Sequence, residues 1–212
     1  MDNEIKNKYI LGDCFNWLKK IEDKSVDLVF TSVPDLNEID IESEKTYNDF
    51  LFKALDEILR VVKDDGFFVA CQTDRKFNSK ILPKHIVMAN RVLQRGYIIK
   101  DYKILIKDRV DKVNLYRLNF SHVLIFTKTG KIPLEKKKGD FLIDTWVFKL
   151  PKNKNYWGSD FTDLVIKTLS KEGDFVVDPF AGRGTVLKSC KELNRNYFGT
   201  EINPDVYEID YV

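Results

Sequence analysis

Short apolar runs punctuate the chain and end in polar residues, Gly or Pro: Tyr9 to Asp13, Val26 to Ser32, Phe67 to Cys71, His122 to Thr127, Phe175 to Pro179 and Tyr197 to Glu201. Their length and their β-branched and aromatic content predict buried strands. Between them the period changes. From Asn48 to Val62, apolar residues recur at helical spacing (Phe50, Leu51, Ala54, Leu55, Ile58, Leu59, Val62), and Asp65-Gly66 predicts a stop before the next strand. Asp160 to Leu169 and Thr185 to Leu193 predict two more helices on either side of the strand at Phe175. Strand and helix in alternation predict an α/β layer fold with a mainly parallel sheet. The stretch from Lys128 to Asn155 breaks the rhythm with Glu135-Lys136-Lys137-Lys138-Gly139-Asp140 and Pro151-Lys152-Asn153-Lys154-Asn155, and predicts surface loops. No internal repeat is present. The simplest partition is a single domain over residues 1–212, with a basic, loop-rich excursion at about 108–155.

At 212 residues and 43% hydrophobic content the chain can fill a sizeable core, which excludes a disordered protein. No apolar run approaches the roughly 18 residues that cross a bilayer, and Asp2, Glu4 and Lys6 stand where a signal peptide needs an apolar stretch. The expectation is an intracellular protein with no membrane partner. Cys14, Cys71 and Cys190 are odd in number and far apart, and His85 and His122 are the only histidines. That spacing matches neither a disulfide framework nor a zinc site, so no metal is expected. Charge is nearly balanced, 35 Lys and Arg against 33 Asp and Glu. Its distribution is uneven: residues 100–154 hold 14 Lys or Arg and 6 Asp or Glu, net +8, which leaves −6 for the rest. Such a segment suits either a solvated surface or a nucleic-acid face.

The most informative stretch runs Phe175-Val176-Val177-Asp178-Pro179-Phe180-Ala181-Gly182-Arg183-Gly184-Thr185-Val186, a strand passing through a small-residue turn into a helix. A turn of this kind lets a ligand approach the backbone, and the helix start offers free N–H groups. The next strand ends in Glu201, 23 positions after Asp178. A carboxylate at a second strand tip can accept hydrogen bonds from ribose hydroxyls. Leu187 replaces the third glycine of a dinucleotide turn, and Asp178 would repel a pyrophosphate. An acid there suits a ligand with positive charge, such as the sulfonium or ammonium of S-adenosylmethionine.

Asp178 to Val186, together with Gly199-Thr200-Glu201-Ile202-Asn203-Pro204-Asp205, resembles the cofactor motif of S-adenosylmethionine-dependent DNA amino-methyltransferases, the N6-adenine and N4-cytosine group. The match extends over most of the chain and follows the permuted subgroup, in which the catalytic motif precedes the cofactor motif. Leu11-Gly12-Asp13-Cys14, Ser25 to Ser32 and Ile58 to Gly66 are similar to that subgroup's opening. The resemblance implies a Rossmann-like methyltransferase sheet, mainly parallel with one antiparallel strand and helices on both faces. It implies that Asp178, Phe180, Gly182, Gly184 and Thr185 line the methionine end of the cofactor, that Glu201 holds the ribose, and that Asp13 and Ile202 lie against the adenine. Tyr156 to Leu164 stands where the family has another cofactor-contacting helix, without its usual His-Pro pair.

The family's catalytic signature is an acid, Asn or Ser, then Pro-Pro and an aromatic residue. Here the loop reads Thr31-Ser32-Val33-Pro34-Asp35-Leu36. Ser32 and Pro34 fit, Val33 replaces the first proline and Asp35 replaces the aromatic. The lone pair of an exocyclic amine is delocalised into its ring, so acceptors must draw on its protons while it approaches the methyl carbon. Ser32 Oγ and a loop carbonyl supply such acceptors, and Asp35 is either a third candidate, as acceptor or base, or an acid that caps the turn after it. With no aromatic at position 35, stacking on a flipped base falls to Phe30, Tyr47, Tyr156 or Trp157. Gln72-Thr73-Asp74-Arg75-Lys76 leaves the same sheet edge as Ser32, which makes Arg75 and Lys76 candidates for a nucleic-acid phosphate. Tyr116 to His122 resembles the family's late motif.

The implied activity is methyl transfer to an exocyclic amine of a nucleic-acid base, in DNA before RNA, and at cytosine N4 before adenine N6 because Ser32 stands where adenine enzymes place Asp or Asn. Beyond the sheet, little chain remains for reading a sequence, so an RNA target, a homodimer or a partner subunit each fits the same economy. Val33 and Asp35 also suit a noncatalytic methyltransferase-like subunit, and fold alone admits a small-molecule methyltransferase.

Overall fold

The computed structural model describes residues 5–77, 79–107, 118–132, 139–148, 159–209 and 212. Eight strands form one sheet: β1 (Lys8–Leu11), β2 (Val26–Thr31), β3 (Val62–Gln72), β6 (Ile98–Lys107), β7 (Phe120–Thr127), β8 (Thr145–Phe148), β9 (Phe175–Asp178) and β10 (Asn196–Glu201), in the order β1-β10-β9-β2-β3-β7-β6-β8. Each neighbouring pair is parallel except those made by β7, which runs against β3 and β6. One antiparallel strand in an otherwise parallel sheet is what the resemblance implies. A separate hairpin joins β4 (Arg75–Phe77) to β5 (Lys80–Leu82).

The central strands are apolar on both faces, so each face needs a cover. Val29, Phe68, Ala70 and Val177 face one layer, made by α1 (Cys14–Leu18), α2 (Glu44–Val61) and α3 (Lys84–Gln94). Phe30, Val69, Cys71 and Val176 face the other, made by α4 (Ser159–Leu169) and α5 (Thr185–Glu192). Helices therefore cover both faces, and no helix among the described residues is long and apolar enough to cross a membrane.

The helix expected from Asn48 begins at Glu44, where the Ser43 hydroxyl accepts the Thr46 N–H at 3.0 Å. It runs straight into β3, so Asp65-Gly66 lies inside the strand and not in a turn. The register explains this: Val26 pairs with Val62 but Leu28 with Phe67, and the extra residues bulge out. Gly66 is required there, because a Cβ would come within 2.8 Å of the Asp27 carbonyl. In the stretch expected to be loops, the structure forms the edge strand β8, with Trp146 buried and Val147 exposed. Four residues are too few to announce a strand by alternation. The Lys-rich runs at 136–138 and 152–154 lie outside the described residues.

The candidate active site at the carboxyl edge of the sheet

β9 and β2 are adjacent parallel strands, so Asp178, the last residue of β9, and the loop after Thr31 emerge side by side. The Thr31 hydroxyl donates to Asp178 Oδ1 at 2.7 Å, and the Phe180 N–H donates to the same oxygen at 3.2 Å. Burial pushes the Asp178 carboxyl up to about 7, with the nearby Glu201 carboxylate adding to the rise against those two donors. The turn that follows bends through positive φ at Gly182 (56°) and Gly184 (83°), the latter capping α5. A Cβ at Gly184 would collide with the Val212 side chain, whereas one at Gly182 would meet nothing within 4 Å. The turn thus presents bare backbone to open space. Thr185 opens α5 and is buried, and Phe180 packs on Phe50 with ring centroids 6.0 Å apart.

Glu201 ends β10, beside β9. Its Oε2 accepts the Gly182 N–H at 3.0 Å and its Oε1 the Asn203 N–H at 2.8 Å, which aims the carboxylate across the glycine turn. Leu11 pairs with Glu201 in register, the Gly12 N–H donates to the Glu201 carbonyl at 2.7 Å, and Asp13 caps α1 by accepting the Phe15 N–H at 2.9 Å. Leu11 and Ile202, on either side of Glu201, are exposed. Tyr9 donates its hydroxyl to the Gly182 carbonyl from beneath the turn. Among the described residues neither Asp178 nor Glu201 has a cationic partner. Two carboxylates, bare turn backbone and exposed aliphatic side chains fit a ligand with a cationic end, a diol and a flat apolar ring. S-adenosylmethionine has all three, so the residues present fit it.

The catalytic-loop candidates are held by side chains from distant segments. Ser32 is half-buried at the tip of β2. The Gln72 side-chain N–H donates to the Val33 carbonyl at 3.1 Å, and the Tyr47 hydroxyl donates to the Pro34 carbonyl at 2.9 Å. Asp35 differs from the expectation of a substrate-facing acceptor or base. It is buried, Oδ1 bonded to Lys84 Nζ and Oδ2 lying 3.2 Å from Arg75 Nη1. Both oxygens are engaged by cations drawn from the hairpin and from α3. Arg75 is correspondingly turned inward, away from the phosphate contact expected of it, while Lys76 is exposed. Phe30 and Tyr47, proposed as stacking aromatics, are core residues. Tyr156, Trp157, Tyr116 and Arg117 lie outside the described residues.

Sequence reasoning missed Thr31, Gln72 and Lys84 as parts of the site, and named Tyr47 only as a stacking aromatic, whereas it holds the loop through the Pro34 carbonyl. The contacts of Tyr47, Gln72 and Lys84 with the loop span 13, 39 and 49 positions. No spacing rule reaches that far. Thr31 was signalled only by its place before Ser32.

A family model described as DNA methylase, for N6 and N4 methyltransferases, matches residues 26–211. The type II methyltransferase M.BamHI of Bacillus amyloliquefaciens is 28% identical over 236 residues, which cover 90% of this chain but 53% of that protein. The chain thus spans about half the length of that curated relative. Among solved structures, the cytosine-N4-specific PvuII DNA methyltransferase superposes with a TM-score of 0.81 at 17% identity, covering 94% of this chain and 83% of that one. The DNA modification methylase TTHA0409 of Thermus thermophilus, complexed with S-adenosyl-L-methionine, gives a TM-score of 0.74 at 23% identity, covering 94% and 89%.

Proposed function

We propose that this chain, which belongs to the DNA methylase family of N6 and N4 methyltransferases, transfers a methyl group from S-adenosylmethionine to an exocyclic amine of a DNA base, with cytosine N4 the preferred acceptor. One observation carries the reading. The Thr31–Asp178 hydrogen bond ties the strand that bears Ser32 to the strand that bears the cofactor acid, so donor and acceptor sites share one edge.

S-adenosylmethionine, when bound, supplies an electrophilic methyl group on a sulfonium. The chain's own residues do the rest. Asp178 ionises and faces the ligand's positive end, and Glu201 keeps lone pairs free for ribose hydroxyls beyond its two backbone bonds. Ser32 Oγ and the remaining lone pair of the Val33 carbonyl accept the two amine N–H groups, localising the nitrogen lone pair. Gln72 and Tyr47 hold those loop carbonyls in place, and the Asp35 ion pairs anchor the loop from behind. Asp35 therefore acts as an anchor. Lys76, exposed at the same edge, meets a phosphate beside the flipped base.

The test is methyl labelling of DNA and of RNA with labelled S-adenosylmethionine, followed by digestion to nucleosides. The expected product is N4-methylcytosine from DNA. In Ser32→Ala, cofactor binding by calorimetry stays within about twofold while transfer falls roughly 100-fold or more, as expected of a group acting on the reacting amine. Label in RNA alone overturns the DNA reading. Cofactor binding without transfer to either polymer supports a noncatalytic subunit, which the altered Val33 and Asp35 would suit.

A further inference from the structure

Sequence separation argued against a metal set, yet the fold brings the two histidines together. Asp74 lies two residues past β3, His85 is the second residue of α3, and His122 on β7 pairs in register with Gln72. One ligand atom from each, among His nitrogens and a carboxylate oxygen, lies within 4.8 Å of the other two. His85 Nδ1 is 2.6 Å and His122 Nε2 3.6 Å from the same oxygen, Asp74 Oδ2. Both ring nitrogens are buried, and neither meets full hydrogen-bond geometry with another group. At 2.6 Å from a carboxylate oxygen the His85 nitrogen needs a proton between the two, and a bound ion would take that proton's place.

The surroundings pre-orient these groups. The Tyr102 hydroxyl lies 2.6 Å from His122 Nδ1, the other ring nitrogen, which fixes the ring and leaves Nε2 toward Asp74. The His85 backbone N–H donates to Asp74 Oδ1 at 3.3 Å, leaving Oδ2 for the ring nitrogens. Outer partners of this kind orient metal-binding imidazoles and carboxylates. The two imidazoles stack in parallel at 3.6 Å, and His85, the most exposed of the three, is the ring free to turn its nitrogen onto an ion.

We propose that Asp74, His85 and His122 bind a divalent transition-metal ion of the zinc class, through His85 Nδ1, His122 Nε2 and Asp74 Oδ2, with a fourth position open to water. Two imidazoles and a carboxylate select zinc, cobalt or nickel over magnesium or calcium. Ligand atoms of a tetrahedral zinc stand about 3.3 Å apart, so on binding the His85–Asp74 pair opens from 2.6 Å, the His122–Asp74 pair closes slightly from 3.6 Å, and the His85 ring turns out of its stack on His122. The site is also coupled to the catalytic loop by chain continuity. Asp74 precedes Arg75 and His85 follows Lys84, and Arg75 and Lys84 are the two cations that grip Asp35. An ion that shifts Asp74 or His85 therefore also shifts the neighbouring arm of that grip.

The experiment uses the full chain after chelator treatment, with neither S-adenosylmethionine nor DNA present, so its outcome is separate from that of the methyl-transfer reading. Calorimetry with zinc alone and visible absorption with cobalt alone are compared for wild type, His122→Ala, His85→Ala and Asp74→Asn, with circular dichroism confirming each fold. The expected result is one ion per chain in wild type, an affinity loss of about 10- to 100-fold in each variant, and a zinc-induced rise in melting temperature confined to wild type. X-ray absorption of the zinc-loaded wild type, which needs no variant, should show imidazole nitrogen and carboxylate oxygen with no sulfur, although Cys71 lies nearby on β3. No stoichiometric binding to wild type, equal affinity in the folded variants, or a sulfur ligand overturns the proposal.

Discussion

The two halves of the proposed active site are built by different means. Around Asp178 and Glu201 the contacts are mostly between side-chain carboxylates and backbone N–H groups of the turns after two adjacent strand tips: Phe180, Gly182 and Asn203. Around Ser32 the backbone is instead the acceptor, and the donors are side chains from far along the sequence: Tyr47, Gln72, and behind them Arg75 and Lys84 on Asp35. The first half leaves carboxylates without cations, ready for a cationic ligand. The second has satisfied its carboxylate internally, which makes it a support. A departure from family pattern in the second half, Asp35 for an aromatic, can therefore be absorbed by a compensating pair, whereas one in the first half would remove a proposed ligand contact outright.

The comparison breaks most severely at Asp35. Asp35→Ala leaves the buried Lys84 and the partly buried Arg75 without an anion, a loss of about 3 to 5 kcal/mol and roughly 10 °C in melting temperature for a chain of this size. Pairing Asp35→Leu with Lys84→Met, which removes both charges, should recover much of that stability in thermal denaturation. Failure to recover would mean that Asp35 does more than neutralise its partners.

A smaller effect, confined to the ligand, is expected in the first half. Asp178→Asn should weaken S-adenosylmethionine binding by about 2 to 3 kcal/mol, roughly 100-fold, as measured by calorimetry. Its pH dependence sharpens the point. The folded Asp178 carboxyl titrates near 7, above its ordinary 3.8, so the native chain holds a proton that the unfolded chain has lost between about pH 4 and 7. This group's contribution to stability accordingly falls as pH rises through that window and levels off above 7. Binding a cation needs the ionised form, so affinity should rise about tenfold from pH 6 to pH 8 in wild type and stay flat in Asp178→Asn. An equal rise in both would remove Asp178 from the cofactor contact.

The smallest change is Tyr47→Phe. Losing the hydroxyl that holds the Pro34 carbonyl should cost about 0.5 to 1.5 kcal/mol, seen as a several-fold lower kcat with cofactor affinity unchanged. A change in cofactor affinity instead would show that the two halves are less separate than their construction suggests.

The same division decides what was legible in the sequence. The strand, D-P-F-A-G-x-G-T turn, helix and second strand ending in Glu201 form one local unit, and its function follows from backbone conformation that Gly182 and Gly184 announce. The Ser32 loop was recognisable as a position, but not the inward turn of Asp35 and Arg75, because ion pairing across 40 positions has no local signature. The pairing of His85 with His122 was hidden for the same reason: α3 and β7 carry one each, and their meeting at Asp74 depends on how α3 packs against the sheet. β6 escaped notice because Lys100, Asp101 and Lys103 interrupt its apolar run. Lys103 is nonetheless buried, held by Asp101 and Asp144.

The strand order also bears on how the site is assembled. β2, β3, β7, β6 and β8 are all translated before β9, yet β9 must lie between β2 and β10, and β1 has no neighbour until β10 arrives. The carboxyl edge beside Ser32 is therefore completed only through contacts such as Thr31 with Asp178, 147 positions apart. Such non-local closure is slow. The edge on which the proposed chemistry depends is consequently completed last, when β9 and β10 take their places in the sheet.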